Sequence, residues 1–185
     1  MNIGDEELMS YWHGHGLRGN YFEELINYAN EIYKKNNLAL IQKIATPIKP
    51  IELNNKNHTI SLAYFEKKST VDYIGVVQGI PICFDAKETS KKSLPLKNIH
   101  QHQIEFMDKF EIQGGIAFLL VHFLFNDTYF CMSFRELKSI LDNPEYKKKS
   151  IAYKSFKNQI YVLQNNCFLN YLESINKILD LQYKS

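Results

Sequence analysis

The sequence predicts an α/β fold built on a mixed sheet, and three observations support this. Helical and strand-like stretches alternate along the chain, as in proteins that pack helices on a sheet. Hydrophobic residues make up 45% of the 185 residues, which is enough for a full core. The length fits one domain, and no linker or internal repeat divides the chain. We therefore expect a flexible N-terminal tail at 1–17 and a single domain at 18–185.

The first half of the predicted fold follows from hydrophobic spacing and from two prolines. Apolar side chains between Phe22 and Tyr33 recur at helical spacing and form one stripe. Pro47 and Pro50 exclude a continuing central strand, and the Asn-rich stretch after them predicts a protruding hairpin or a long loop. In order, we expect a helix at 20–36, a strand at 38–44, a hairpin or loop at 51–64, and strands at 72–77 and 80–87.

Turn and capping residues indicate the second half. Gln78-Gly79 is a two-residue turn that predicts a β-hairpin, and Asn126-Asp127 separates two further strands. Ser133 and Glu136 fit a capping box that starts a helix. The expected elements are a helix near 96–110, strands at 116–125 and 128–132, a helix from 133, and a final helix at 168–183.

Charge and cysteine content exclude several classes of protein. A net charge of +2 permits nucleic-acid binding without arguing for it. No apolar run approaches the roughly 18 residues of a membrane span. Three widely spaced cysteines without a CxxC pair form neither a disulfide framework nor a zinc site. These features lead us to expect a cytoplasmic protein that does not bind membranes.

Lysines are distributed unevenly and form two clusters. Such clusters are the expected footprint of phosphate contacts, although a solvated surface gives the same pattern. One cluster contains Lys87, Lys91, Lys92 and Lys97, and the other contains Lys147, Lys148, Lys149, Lys154 and Lys157.

The predicted hairpin brings together charged residues that suit phosphodiester chemistry. If Gln78-Gly79 is the turn, Asp72 lies opposite Asp85. Two carboxylates in that relation repel each other unless a cation such as Mg²⁺ lies between them. Lys87 shares the face of Asp85 because side chains alternate along a strand. Bound metal activates water and polarises phosphate, while a lysine stabilises developing negative charge. Glu23 of the first helix can border this site; the alternative is an ordinary strand with surface charges.

Two further residues are candidates for the same site. Gln103 falls within the apolar stripe of the helix near 96–110, so its amide would be partly buried and would need a partner. That partner could be the active site, DNA or backbone. Thr70 precedes Asp72 and could help to hold phosphate or metal, or could simply lead into the strand.

Several short blocks occur along the chain in a characteristic order. The blocks are Arg18-Gly19-x-x-x-Glu23-Glu24, Thr46-Pro47, Ala63-Tyr64-Phe65, Ser69-Thr70-Val71-Asp72-Tyr73, Phe84-Asp85-Ala86-Lys87-Glu88-Thr89 and His102-Gln103-Ile104-Glu105. This order resembles the RecU family of Holliday junction resolvases, which belongs to the PD-(D/E)xK nuclease superfamily. The resemblance runs from Arg18 to near the C-terminus. The superfamily core has the order helix, three strands, helix, strand (αβββαβ), as in restriction endonucleases.

The resemblance implies a Mg²⁺-dependent homodimer that makes paired cuts across a four-way DNA junction. Mn²⁺ is expected to substitute for Mg²⁺. Residues 47–62 correspond to a stalk that family members insert into the junction centre, and the family is also linked to the strand-exchange recombinase. The implied catalytic residues are Asp72, Asp85, Lys87 and Glu23; the implied metal ligands are Asp72, Asp85, Thr70 and Gln103; the expected DNA contacts are Arg18, Lys49, Lys56, Lys91 and Lys92.

The sequence departs from the family pattern at several points. Asp85 stands where glutamate is usual, which shortens the reach to metal by one methylene, and Val71 replaces the proline of the superfamily name. Neither the tail nor the stalk is strongly basic. Two other functions stay open at this point: a general duplex nuclease on the same core, and a non-catalytic junction-binding or recombination-mediating protein.

Overall fold

A computed structural model describes residues 21–45, 47–54, 57, 59–65, 70–163 and 168–183. The helices are α1 (Tyr21–Lys35), α2 (Gln101–Ile112), α3 (Phe134–Leu141) and α4 (Leu172–Tyr183), with short 3-10 turns at Leu96–Asn98 and Tyr153–Ser155. The strands are β1 (Ala39–Lys43), β2 (Ile48–Asn54), β3 (Thr59–Phe65), β4 (Tyr73–Val77), β5 (Ile80–Thr89), β6 (Ser93–Pro95), β7 (Ile116–Phe123), β8 (Thr128–Ser133), β9 (Ser150–Ala152), β10 (Gln159–Ile160), β11 (Val162–Leu163) and β12 (Phe168–Leu169).

A six-stranded mixed sheet forms the centre of the fold. Its strand order is β1-β4-β5-β7-β8-β10, and only β5 and β7 run parallel. The parallel pair requires a crossover, which α2 supplies between the two strands. The path from α1 through β1, β4, β5, α2 and β7 therefore gives the αβββαβ order that the sequence predicts.

Each face of the sheet is covered by helices, which creates two hydrophobic cores. On one face, Phe22 and Ile26 of α1 and Ile175 of α4 pack against Phe84 and its neighbours. On the other face, Met107 of α2 and Leu137 of α3 pack against a cluster that includes Cys83. Alternate residues of β5 thus enter different cores, so every side chain of this strand between 82 and 85 is buried.

The stretch after β1 is a hairpin that stands apart from the main sheet. β2 and β3 pair antiparallel from Ile48 opposite Phe65 to Asn54 opposite Thr59, with register shifts around Glu52. A two-stranded ribbon tolerates Pro50 because its edges need no further N–H donors. Most of the described side chains in the ribbon are exposed, so of the two expected alternatives the hairpin is correct.

Some boundaries differ from the sequence predictions. The last helix begins at Leu172 and not at 168, because Phe168 and Leu169 pair with β11. The helix near 96–110 is a 3-10 turn followed by α2, which extends to Ile112. The short strands β6 and β9 are too brief to leave an alternating pattern in the sequence. None of the helices in the described part of the chain has the length and apolar character of a membrane span.

Candidate active site

The β4–β5 hairpin has the predicted register. Val77 pairs with Ile80 and Tyr73 with Phe84, around a turn in which both Gln78 and Gly79 have positive φ. Positive φ at both turn positions is the type I′ geometry, which matches the twist of the flanking strands. The ladder ends at Tyr73, so Asp72 lies one residue before the strand and does not form the predicted cross-strand pair. Instead, the Ala86 N–H donates to Asp72 Oδ2 at 2.9 Å, which holds the carboxylate beside the end of β5.

Asp85 is the buried centre of the site. Gln103 Nε2 donates to Asp85 Oδ1 at 2.5 Å, and Lys87 Nζ lies 2.5 Å from Asp85 Oδ2. The Lys87 ammonium is therefore the charge partner of Asp85 Oδ2. A carboxylate oxygen has more than one lone pair, so Oδ2 keeps acceptor capacity for a cation or a water molecule.

Helix α2 fixes the orientation of Gln103. The His100 N–H at the start of the helix donates to Gln103 Oε1 at 3.1 Å, which satisfies one of the unpaired donors at a helix N-terminus. Because Oε1 is used in this way, the Nε2 group points towards Asp85. Gln103 is buried, as its place in the apolar stripe predicts. Of the three partners considered, its side chain contacts two: the backbone at His100 and the active site at Asp85.

The environment of Asp85 favours its protonated form when no cation is bound. The pKa of Asp85 is raised to about 7: burial is the largest cause, the Lys87 ammonium opposes it, and the nearby Asp72 carboxylate adds to it. Metal ligands must be deprotonated, so a cation that binds here would displace a proton from the site. Cation affinity should therefore increase with pH through the neutral range.

The donor set fits a hard divalent cation. Asp85 Oδ2 and the adjacent Asp72 carboxylate are oxygen donors, and Mg²⁺ is commonly held by one or two carboxylates with waters and phosphates. In the described part of the chain, no group of three or more His, Cys, Asp or Glu side chains is arranged to hold a metal. Thr70 lies two residues before Asp72, half-buried in the segment that enters β4.

Glu23 lies at the start of α1, at the same end of the sheet as Asp72. The Tyr73 hydroxyl is 3.5 Å from the Glu23 carbonyl oxygen and donates to Asn27 Oδ1 at 3.0 Å. The Glu23 carboxylate itself accepts from Lys43 Nζ at 2.6 Å. The structure thus brings Asp72, Asp85, Lys87 and Gln103 together. Glu23 lies beside Tyr73, the neighbour of Asp72, and its carboxylate is held by Lys43.

The expected DNA contacts are spread over separate parts of the molecule. Lys49 is exposed on β2, while Lys91 and Lys92 are exposed in the turn after β5. Lys92 Nζ also lies 5.9 Å from the centroid of the Phe125 ring. Arg18 and Lys56 lie outside the described residues.

A polar cluster that the sequence predictions missed lies on the opposite face of β5. His122 is buried, with Nδ1 3.0 Å from Glu88 Oε2 and Nε2 2.9 Å from Asp127 Oδ1. Tyr129 stacks on the His122 ring and donates to the same Asp127 oxygen. Glu88 and His122 are neighbours only because β5 and β7 are parallel in a particular register, and no local sequence signal reports this pairing.

Comparison with known proteins shows the family of the chain. The family model for RecU, recombination protein U, matches residues 17–177. The chain belongs to the RecU family. A Holliday junction resolvase RecU of Lactococcus lactis subsp. lactis is 41% identical over 177 residues, covering 90% of this chain and 81% of the relative. The RecU of Pediococcus pentosaceus is 38% identical over 173 residues, covering 90% of this chain and 86% of the relative.

The RecU match includes every residue of the candidate site and most of the chain around it. Among solved structures, the Holliday junction resolvase Hjc of Archaeoglobus fulgidus is a distant neighbour, with 9% identity and a TM-score of 0.40. That likeness covers 72% of this chain and 94% of Hjc.

Proposed function

We propose that this RecU-family chain is a structure-selective endonuclease that resolves four-way DNA junctions by metal-dependent phosphodiester hydrolysis. Family membership and the names of the relatives support the substrate. One structural observation carries the chemistry: a buried carboxylate lies beside a second carboxylate, a lysine and an amide. Ordinary surface charges on a strand would instead be solvated.

Each residue of the site has a separate task in the proposed reaction. Asp72 and Asp85 would hold Mg²⁺ or Mn²⁺, which would polarise the scissile phosphate and lower the pKa of water. Lys87, which pairs with Asp85, would donate to an oxygen that gains negative charge during cleavage. Gln103 orients Asp85 through its Nε2 group. Its role as a ligand would require the amide to turn and to break the bond from His100.

Thr70 and Glu23 complete the proposed set. Thr70 is close enough in sequence to Asp72 to add an oxygen donor to the metal. Glu23 would act from the start of α1 once its carboxylate is released from Lys43. We further propose that the protein works in the cytoplasm as a homodimer, since two symmetric cuts need two sites, and that it cooperates with the strand-exchange recombinase.

The test is cleavage of a labelled four-way junction beside a matched linear duplex, each with Mg²⁺. We expect paired symmetric nicks in the junction only, and none with Asp72→Asn. Lys87→Ala should bind the junction and fail to cut it, because charge stabilisation is lost while the fold is kept. Lys138→Ala is the matched control, since its ion pair with Asp108 lies outside the site. Ca²⁺ in place of Mg²⁺ should permit binding and block cleavage, because Ca²⁺ prefers looser coordination.

Three results would contradict the proposal. Equal cutting of the linear duplex would indicate a general nuclease on this core. Junction binding without any cutting by the wild-type protein would indicate a non-catalytic junction-binding protein. A fully active Lys87→Ala variant would remove that lysine from the mechanism.

A further inference from the structure

The fold joins two lysine-rich segments that are far apart in the sequence. β6 and β9 pair antiparallel, with Leu94 opposite Ile151 at the centre of the ladder. The pairing extends at both ends: the Leu96 N–H donates to the Lys149 carbonyl at 3.0 Å, and the Tyr153 N–H donates to the Lys92 carbonyl at 3.1 Å. The two lysine clusters therefore lie side by side on one surface. We call the lysines of residues 91–97 and 147–157 the lysine ridge.

The ridge is unusually free of negative charge. Residues 89–98 and 146–157 together contain eight lysines and neither aspartate nor glutamate; the nearest acids in sequence are Glu88 and Glu145, which directly precede the two segments. All eight lysines are exposed. None of them forms an ion pair with another described residue, so no described carboxylate neutralises this surface.

The backbone beneath the ridge is anchored to the protein core. Leu94 and Ile151 are fully buried in the hydrophobic cluster on the α2 face of the sheet. The Thr89 hydroxyl also donates to the Ser93 carbonyl at 3.3 Å, which ties the end of β5 to the start of β6. The β6–β9 ladder and the packed core thus hold like charges close together. Their mutual repulsion costs free energy, which a bound anion would offset.

The ridge begins close to the candidate active site. Lys91 follows Lys87 by four residues, so their Cα atoms are at most about 14 Å apart even in a fully extended chain. Base pairs are about 3.4 Å apart along duplex DNA, so this distance spans about four base pairs. At the other end, Lys97 lies in the turn that leads directly into α2 and Gln103.

We propose that the lysine ridge binds the sugar-phosphate backbone of the duplex arm that carries the cut, beginning within about four base pairs of the scissile phosphate. The inference rests on the proposed function, and it adds the Lys147–Lys157 segment to the DNA-binding surface. Lysine contacts to phosphate carry no sequence information, so the ridge fixes the position of an arm without selecting its sequence.

The test compares two triple variants that remove the same number of charges. The ridge variant carries Lys148→Gln, Lys154→Gln and Lys157→Gln. The control carries Lys34→Gln, Lys35→Gln and Lys177→Gln, which lie on α1 and α4. Affinity for a labelled junction is measured in Ca²⁺ between 50 and 200 mM salt. Urea midpoints of both variants establish that each is folded.

Each lost phosphate contact should reduce the slope of log affinity against log salt by about 0.9. If all three ridge lysines contact phosphate, the slope falls by about 2.7, and the wild-type protein loses about 40-fold more affinity than the ridge variant over that salt range. Protection of the deoxyriboses next to the cut from hydroxyl radicals should also be lost in the ridge variant and kept in the control.

The outcomes separate the ridge from the enzyme activity. A wild-type protein that cuts junctions, with a ridge variant that keeps the wild-type salt slope and footprint, overturns the ridge proposal alone. A ridge-dependent slope in a protein that cuts nothing supports the ridge and contradicts the proposed function. Equal loss of slope in both triple variants shows a general charge effect, and it also overturns the ridge proposal.

Discussion

The stability of the metal-free protein should fall as pH rises, because of Asp85. Its pKa is raised from the usual 3.8 to about 7 in the folded state, mainly by burial. Between these two values the folded state holds a proton that the unfolded chain releases, so the proton stabilises the fold. This contribution is complete below about pH 3.8 and is lost as pH rises through about 7. From pH 5.5 to 8.5, the linkage relation gives a loss of about 2 kcal/mol in the free energy of unfolding.

Urea denaturation in EDTA at a series of pH values measures this loss. Asp85→Asn is the control, because it keeps an acceptor for Gln103 and removes the titrating group. Other groups titrate in both proteins, so the quantity to follow is the wild-type stability minus that of the variant. This difference should fall by about 2 kcal/mol over the range, and saturating Mg²⁺ should restore stability mostly at high pH. A difference that stays constant or rises with pH would refute the assignment of a protonated, buried Asp85.

Three further predictions concern the site, the sheet and the hairpin. Gln103→Leu should lower the cleavage rate more than junction affinity and cost about 1–3 kcal/mol of stability, because it leaves Asp85 without its donor; rates, affinities and urea midpoints compare it with the wild type. Gly75→Ala should destabilise the fold by about 1–3 kcal/mol, since the added Cβ would lie 2.4 Å from the Leu40 carbonyl oxygen; an unchanged melting temperature would contradict this. Deleting residues 54–58 should reduce the preference for junction over duplex with little change in melting temperature, and an unchanged preference would exclude the hairpin from substrate selection.

The sequence alone determined the parts of the site that depend on short-range order. A two-residue turn at Gln78-Gly79 sets the register of its hairpin, and that register places Asp85 and Lys87 on one face next to Asp72. Helical spacing likewise marked Gln103 as a buried amide. These predictions held because turn geometry and side-chain periodicity are local properties of the chain.

Only the tertiary structure decided what those residues contact. Gln103 reaches Asp85 because α2 crosses over β5, and Glu23 pairs with Lys43 because β1 lies beside β4. The β6–β9 ladder joins segments more than fifty residues apart through three residue pairs, and the buried His122 depends on the parallel register of β5 and β7. Such contacts follow from the packing of distant segments into shared cores. The local periodicity of the chain does not indicate which segments come into contact.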